Sequence, residues 1–118
     1  MKAKISIGID AQPEMWVITP SGPLGHRETD VLNLLLKACP PRTAIAVDLS
    51  DVAWLVSSAL ASLIWHAELI RDRGGVLAIV SPSKQVAHML HITRLNGVLF
   101  VCMSMSDARE HAGKLLRQ

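Results

Sequence analysis

No tyrosine occurs in the 118 residues, and the aromatic complement is one phenylalanine and three tryptophans. Aromatic platforms on which nucleic-acid bases stack are therefore not expected. Cysteine is nearly as scarce. Cys39 and Cys102 lie far apart without metal-ligand spacing, and they read as reduced core thiols of a cytosolic protein. Charged residues make up 19%, with 12 Lys and Arg against 10 Asp and Glu for a formal net charge of +2. Neither sign gathers into a run, so no nucleic-acid or anionic-membrane partner is indicated. A membrane-length apolar run is missing too. The longest stretch, Val52 to Ala67, is interrupted by Ser57, Ser58, Ser62 and His66, which excludes direct membrane insertion. Met1 to Ile7 alternates instead of forming an apolar block, which argues against a signal peptide. There is no Gly-rich phosphate loop, and the glycines of a Gly-x-Ser-x-Gly elbow are absent around Ser57 and Ser58. These absences describe a cytoplasmic protein with no expected catalytic residue and no cofactor.

What is present is core-forming sequence. Apolar residues account for 50% of the chain, enough for a single domain across residues 1–118. Ile5, Ile7 and Ile9 alternate as in a half-buried strand, Asp10 to Glu14 offers turn chemistry, and Met15 to Thr19 reads as the returning strand. Pro20-Ser21-Gly22-Pro23 predicts a loop. A first amphipathic helix is expected from a cap at Thr29 or Asp30, packing Val31, Leu32, Leu34, Leu35, Leu36 and Ala38, and stopped by Pro40-Pro41. Ala44 to Leu49 has the continuous apolar character of a strand covered on both faces. A second helix is predicted from about Ser58 to Arg73, ended by Gly74-Gly75, and Val76 to Val80 follows as another buried strand. Ser81-Pro82-Ser83 offers a cap for a third helix through Lys84 to Leu90, Asn96-Gly97 turns into a strand from Val98 to Val101, and Ser106 is expected to cap a final helix. Strands alternating with helices after a hairpin imply an α/β layer: a mixed, mainly parallel sheet of about five strands flanked by about four helices.

The junction Trp54-Leu55-Val56-Ser57-Ser58-Ala59-Leu60 draws most interest, because two serines stand where a buried run passes into a helix. Such a serine serves either as a cap or as a phosphorylation site, since a helix N-terminus offers N–H groups and positive dipole charge to an anion. On a wheel advancing about 100° per residue, Leu60, Leu63, Ile64, Ala67 and Ile70 make the buried stripe of the second helix. Ser58, Ala61, Ser62, Trp65 and Leu69 face the other way, beside Glu68 and Asp72. An outer face carrying tryptophan and leucine suggests a partner-docking strip. The alternative is that a terminal segment of the same chain covers Trp65.

Other constellations are weaker. His88 and His91 stand three apart, with His26, His66 or His111 as a third ligand, but no metal motif accompanies them. They read as independent surface or edge histidines. Asp48 and Asp51 lie near a strand end, where Asp51 is most simply a turn residue.

The order of elements and several strings together resemble the STAS domain, the family of anti-sigma factor antagonists and sulfate-transporter cytoplasmic domains. Ser21 to Leu24 resembles the family's Gly-x-Leu-Asp turn, and Ile45 to Val52 resembles its central strand and turn. Leu55 to Leu60 stands where the family has Asp-Ser-Ser-Gly-Leu; Gly74 to Leu77 and Leu90 to Leu95 match later segments, and the likeness spans about residues 3 to 115. The resemblance implies a regulatory binding module whose first motif serine, Ser57, is the phosphorylation candidate, with Ser58 second. It further implies a partner of the anti-sigma factor or serine-kinase kind. Docking would use Ser57, Ser58, Ala61, Ser62, Trp65 and Leu69. Phosphate would add about −1.5 to −2 charge there and repel an acidic or apolar partner. The motif is degenerate: Val56 replaces its Asp, Ala59 its Gly, and Gly25 the Asp of the earlier turn. Ala59 adds a Cβ where a partner backbone would approach. Losing both acids favours a second reading, a soluble subunit of a lipid or anion transport assembly; a third, a small-molecule or nucleotide-binding domain or an enzyme, would be marked by a pocket with convergent polar groups near Ser57.

Overall fold

A computed structural model describes residues 4–11, 14–92 and 99–116. Two strands open the chain, β1 (Lys4–Ala11) and β2 (Glu14–Ser21), followed by α1 (His26–Ala38), β3 (Ala44–Asp48) and α2 (Ser57–Asp72). Then come β4 (Val76–Val80), α3 (Lys84–Ile92), β5 (Phe100–Cys102) and α4 (Met105–Leu116). The sheet order follows the chain, β1-β2-β3-β4-β5. The first pair is antiparallel and the remaining three are parallel, so the α/β class and mixed sheet expected from the sequence are present.

Strand alternation divides the core in two. Ile45 and Val47 of β3, with Leu77 and Ile79 of β4, face one side, where they pack with α1, α2 and α3 residues including Leu36, Leu63 and Val86. Ala44, Ala46, Ala78 and Val80 face the other, under Ala108 and Met105 of α4. Successive side chains on a strand point to opposite faces, so a continuous apolar run serves both layers. Most of the large aliphatic side chains lie beneath three helices, while beneath α4 the strand alanines pack with Met15 and Val80.

Several boundaries differ from expectation. α1 begins three residues before Thr29, with Gly25 as N-cap; the Gly25 amide donates to Glu28 Oε1 at 3.1 Å. Thr29, expected as a cap, is buried inside the helix, where its hydroxyl donates to the Gly25 carbonyl at 2.7 Å. Val31, Leu34 and Ala38, expected on the packed face, are exposed. β2 continues through Pro20 and Ser21 in place of a loop, paired with Ile5 and Lys4. Its pairing with β3 has already ended at Ile18, so proline's missing N–H costs no ladder bond on that side. Asp10, Ala11 and Glu14 belong to strands. α4 starts at Met105 and is capped by Ser104, whose hydroxyl accepts from the Asp107 amide at 3.2 Å; Ser106 lies within the helix. β5 spans Phe100–Cys102, a shorter and later strand than predicted. Thr93 to Val98, including Asn96-Gly97, lies outside the described residues. Ser83 caps α3 as expected, accepting from the Val86 amide and donating to the Val52 carbonyl at 2.6 Å. Among the described residues, no helix is long and apolar enough to cross a membrane.

Candidate functional site

Two loops zip together to build the α1/α2 edge. Leu24 and Leu55, both buried, form an isolated parallel bridge. The Leu24 amide donates to the Trp54 carbonyl at 3.1 Å, and the Val56 amide donates to the Leu24 carbonyl at 3.0 Å. The Gly22 amide adds a bond to the Asp51 carbonyl at 3.0 Å, from a glycine at φ +85°. Asp48 and Asp51 are thus turn formers: Asp48 Oδ1 accepts from the Ser50 amide at 2.9 Å.

The zipper sets the starts of α1 and α2 side by side. α2 begins one residue earlier than predicted, with Val56 as N-cap and no side-chain cap bond, so neither serine is the cap. Ser57 takes the first helical position and Ser58 the second, both exposed. The Ser58 hydroxyl lies 3.4 Å from His26 Nδ1 at the start of α1. Ala59 is fully buried in the core, which corrects the expectation that its Cβ would crowd a partner. That Cβ faces inward, and the adjacent Val56 side chain packs against the same core.

Further along α2, Trp65 is 52% exposed, with its outer edge not sealed beneath any of the described residues. Ala61 is exposed, while Ser62 and Leu69 are half-buried. The predicted stripe of Leu60, Leu63, Ala67 and Ile70 is buried, with Ile64 at its margin.

Sequence reasoning missed a residue at the centre of this face. His66, read as an edge histidine, is 2% exposed. Its Nε2 donates to Asn33 Oδ1 of α1 at 3.0 Å, and Trp65 meets its ring edge-on with centroids 4.9 Å apart. Burial lowers its pKa below the ordinary value, and the Lys37 and Arg73 charges push the same way. The signal was present, because His66 lies three residues from Leu63, one from Ala67 and four from Ile70, on the packed side of the wheel. Above the pair lies an open groove of about 370 Å³ lined by Asn33, Lys37, Ala61, Ser62, Trp65 and His66.

The remaining histidines are dispersed: His88 and His91 are exposed on α3, and His111 packs its ring edge-on against Phe100. No group of three His, Cys, Asp or Glu among the described residues is placed to hold a metal ion. Cys39 and Cys102 are free and buried. Burial raises both thiol pKa values, Cys102 to about 11 with help from the Asp107 charge. A second cavity, of about 450 Å³, opens near Arg71, Gly74 and Phe100 and does not include the serines.

A family model described as "Mlab, STAS domain" matches residues 7–102. No curated protein matches the sequence. Among solved structures, an anti-sigma factor antagonist from Mycobacterium paratuberculosis is similar with a TM-score of 0.80 at 20% identity, over 95% of each chain. A sulfate transporter family protein from Wolinella succinogenes is similar at 0.74 and 17% identity, over 88% of each chain. The Bacillus cell fate determinant SpoIIAA in its phosphorylated form reaches 0.69 at 13% identity, over 92% of this chain and 98% of its own. At these identities the likeness is one of fold.

Proposed function

The chain belongs to the STAS domain family, and from that premise we propose that it is a regulatory protein-binding module. It docks a partner through the Ser57/Ser58 edge and the outer face of α2. The observation that carries this reading is the half-open indole of Trp65, set beside a groove and on the same helix as two exposed serines. A large aromatic left half in water on a packed helix is a typical interface anchor. The fold is shared with anti-sigma factor antagonists, which makes an anti-sigma factor or serine-kinase-like protein the first candidate partner.

Ser57 is the proposed phosphorylation site. At the first position of α2 a phosphate sits against the positive end of the helix dipole, so the free protein tolerates it. The same charge repels an acidic or apolar partner, so modification releases the partner. A non-phosphorylated subunit of a transport assembly is the second reading. It is favoured by Val56 and Gly25 standing where the family has acids, and by likeness to a sulfate transporter family protein.

Intact-mass analysis after incubation with a candidate kinase and ATP tests the first reading. One phosphate, absent from Ser57→Ala, supports it. An unmodified chain that co-purifies with a transporter ATPase or permease supports the second. Partner binding left intact by both Trp65→Ala and Ser57→Asp removes the docking face altogether.

A further inference from the structure

The two edges of the sheet differ. β5 closes one side with three residues, Phe100–Cys102. β1 closes the other with eight, Lys4–Ala11, matched to β2 residue for residue from Lys4↔Ser21 to Ala11↔Glu14 without a bulge. Its sequence holds no proline, and among the described residues no strand pairs with its outer side. An edge strand turns alternate N–H and C=O groups away from its single neighbour, which makes it a template for one more strand. Shortness, proline and bulges are common protections against such pairing. β5 is short; β1 has none of the three.

The pattern along β1 says which strand fits. Residues directly opposite in a sheet share a face. Ile7 stands opposite Ile18 and Ile9 opposite Trp16, so positions 5, 7 and 9 lie on the face covered by α1, α2 and α3. Gly8 stands opposite Val17 and Asp10 opposite Met15, so positions 4, 6, 8 and 10 lie on the α4 face. Glu14, opposite Ala11, belongs to the first face. Among the described residues of β1 and β2, the charges on the α4 face are therefore Lys4 and Asp10. They have opposite sign and stand three residues to either side of Ile7.

A two-fold axis normal to the sheet joins two copies of an edge strand antiparallel and keeps every residue on its own face. Directly opposite residues must then be an even number of positions apart, so the axis passes through a residue. Centring it on Ile7 sets Lys4 opposite Asp10 of the second copy, and Asp10 opposite its Lys4. The same register sets Ile5 opposite Ile9 and Ile7 opposite itself. We infer that β1 pairs antiparallel with β1 of a second copy, centred on Ile7, so that two chains share one continuous sheet. β2 and β3 separate β1 from β4, against which α2 packs, so the outer face of α2 stays open on both copies. The pair is then bivalent toward anything that face binds. The pairing itself does not depend on what docks there.

Sedimentation velocity of the full chain at low salt, over a wide concentration range, measures the association, and amide hydrogen exchange locates it. The expected result is conversion from one chain to two as concentration rises, with slower exchange of β1 amides in the dimer. Lys4→Asp sets like charges opposite one another at both ends of the paired strands, and so does Asp10→Lys. Each variant alone should dimerise about tenfold or more weakly than wild type. An equimolar mixture of the two restores both attractive pairs and should dimerise about as tightly as wild type. That restoration also shows that each variant is folded. Ser57→Asp, on the distant start of α2, should leave dimerisation unchanged. A single chain at every concentration overturns the inference, as does a dimer without added protection in β1. So does a dimer indifferent to both charge reversals, or a mixture that associates no better than either variant alone. A chain that stays single, and gains β1 protection only when another protein is added, assigns the edge to that partner and overturns it too.

Discussion

His66 Nε2 donates to Asn33 Oδ1 across 3.0 Å, joining the middle of α2 to the middle of α1. The bond lies at the floor of the groove and unites residues 33 positions apart in the chain. A buried polar group without a partner is costly, so this pair fixes how the two helices sit against one another. The orientation of Trp65 against the His66 ring depends on it in turn.

Asn33→Ala removes the acceptor and leaves the His66 N–H buried without it. The expected loss is about 1–3 kcal/mol, the penalty for an unsatisfied buried donor. Urea unfolding of the variant measures it. Leu34→Ala, at a position 68% exposed, is the control. Its change should stay within about 0.5 kcal/mol, as for ordinary surface substitutions.

Stability should fall on mild acidification. The folded state holds the His66 pKa below its unfolded value of 6.5, chiefly through burial and secondarily through Lys37 and Arg73. The unfolded chain therefore binds the proton more readily, and its stability relative to the native state rises as pH drops. The contribution of His66 is complete above the unfolded value and is lost as pH falls toward the depressed folded one. Thermal midpoints measured from neutral pH down to mildly acidic pH should show this decline in the wild type. His66→Gln, which keeps a donor for Asn33 but does not titrate, should show a shallower one.

Stability and binding should separate at the start of α2. Ser57→Asp places a carboxylate at the first position of the helix, where the dipole favours it by about 0.3–1 kcal/mol. The variant should melt no lower than wild type yet bind its partner at least about tenfold more weakly, a loss of about 1.4 kcal/mol. Trp65→Ala should weaken binding as much and also lower the melting point, because the buried half of the indole packs against His66. Calorimetry for stability and titration for affinity check both; a parallel loss of the two properties in Ser57→Asp contradicts the docking role.

Gly75→Ala should destabilise the fold without touching the groove. A Cβ there would stand 2.5 Å from the Thr43 carbonyl and 3.0 Å from Ile70 Cγ2. The Thr43 carbonyl is also engaged by the Val76 amide at 3.1 Å, so it cannot move aside freely. Overpacking of this kind costs about 1–3 kcal/mol, measurable as a lower denaturant midpoint with partner affinity unchanged.

Much of this architecture is written in local pattern. The continuous apolar runs Ala44 to Val47 and Leu77 to Val80 form buried neighbouring strands, because an isolated apolar run has no other way to leave water. The stripe Leu60, Leu63, Ala67 and Ile70 marks the packed side of α2 for the same reason. The short strings that resemble the STAS family are likewise local, and they were legible without coordinates. So was the direction of Trp65, away from the packed stripe, whereas its exposure needed the folded chain.

What needed the tertiary structure is what depends on residues far apart in the chain. Gly25 caps α1, and Thr29 back-bonds inside it, because the Leu24–Leu55 bridge fixes where the helix starts. Ala59 points into the core and His66 pairs with Asn33 only once that bridge has laid α1 along α2. By itself the sequence determined the order of elements and their apolar faces, since periodicity is a property of neighbouring residues. Only the folded chain decided which polar groups meet, because a hydrogen bond between helices depends on the loops that bring their starts together.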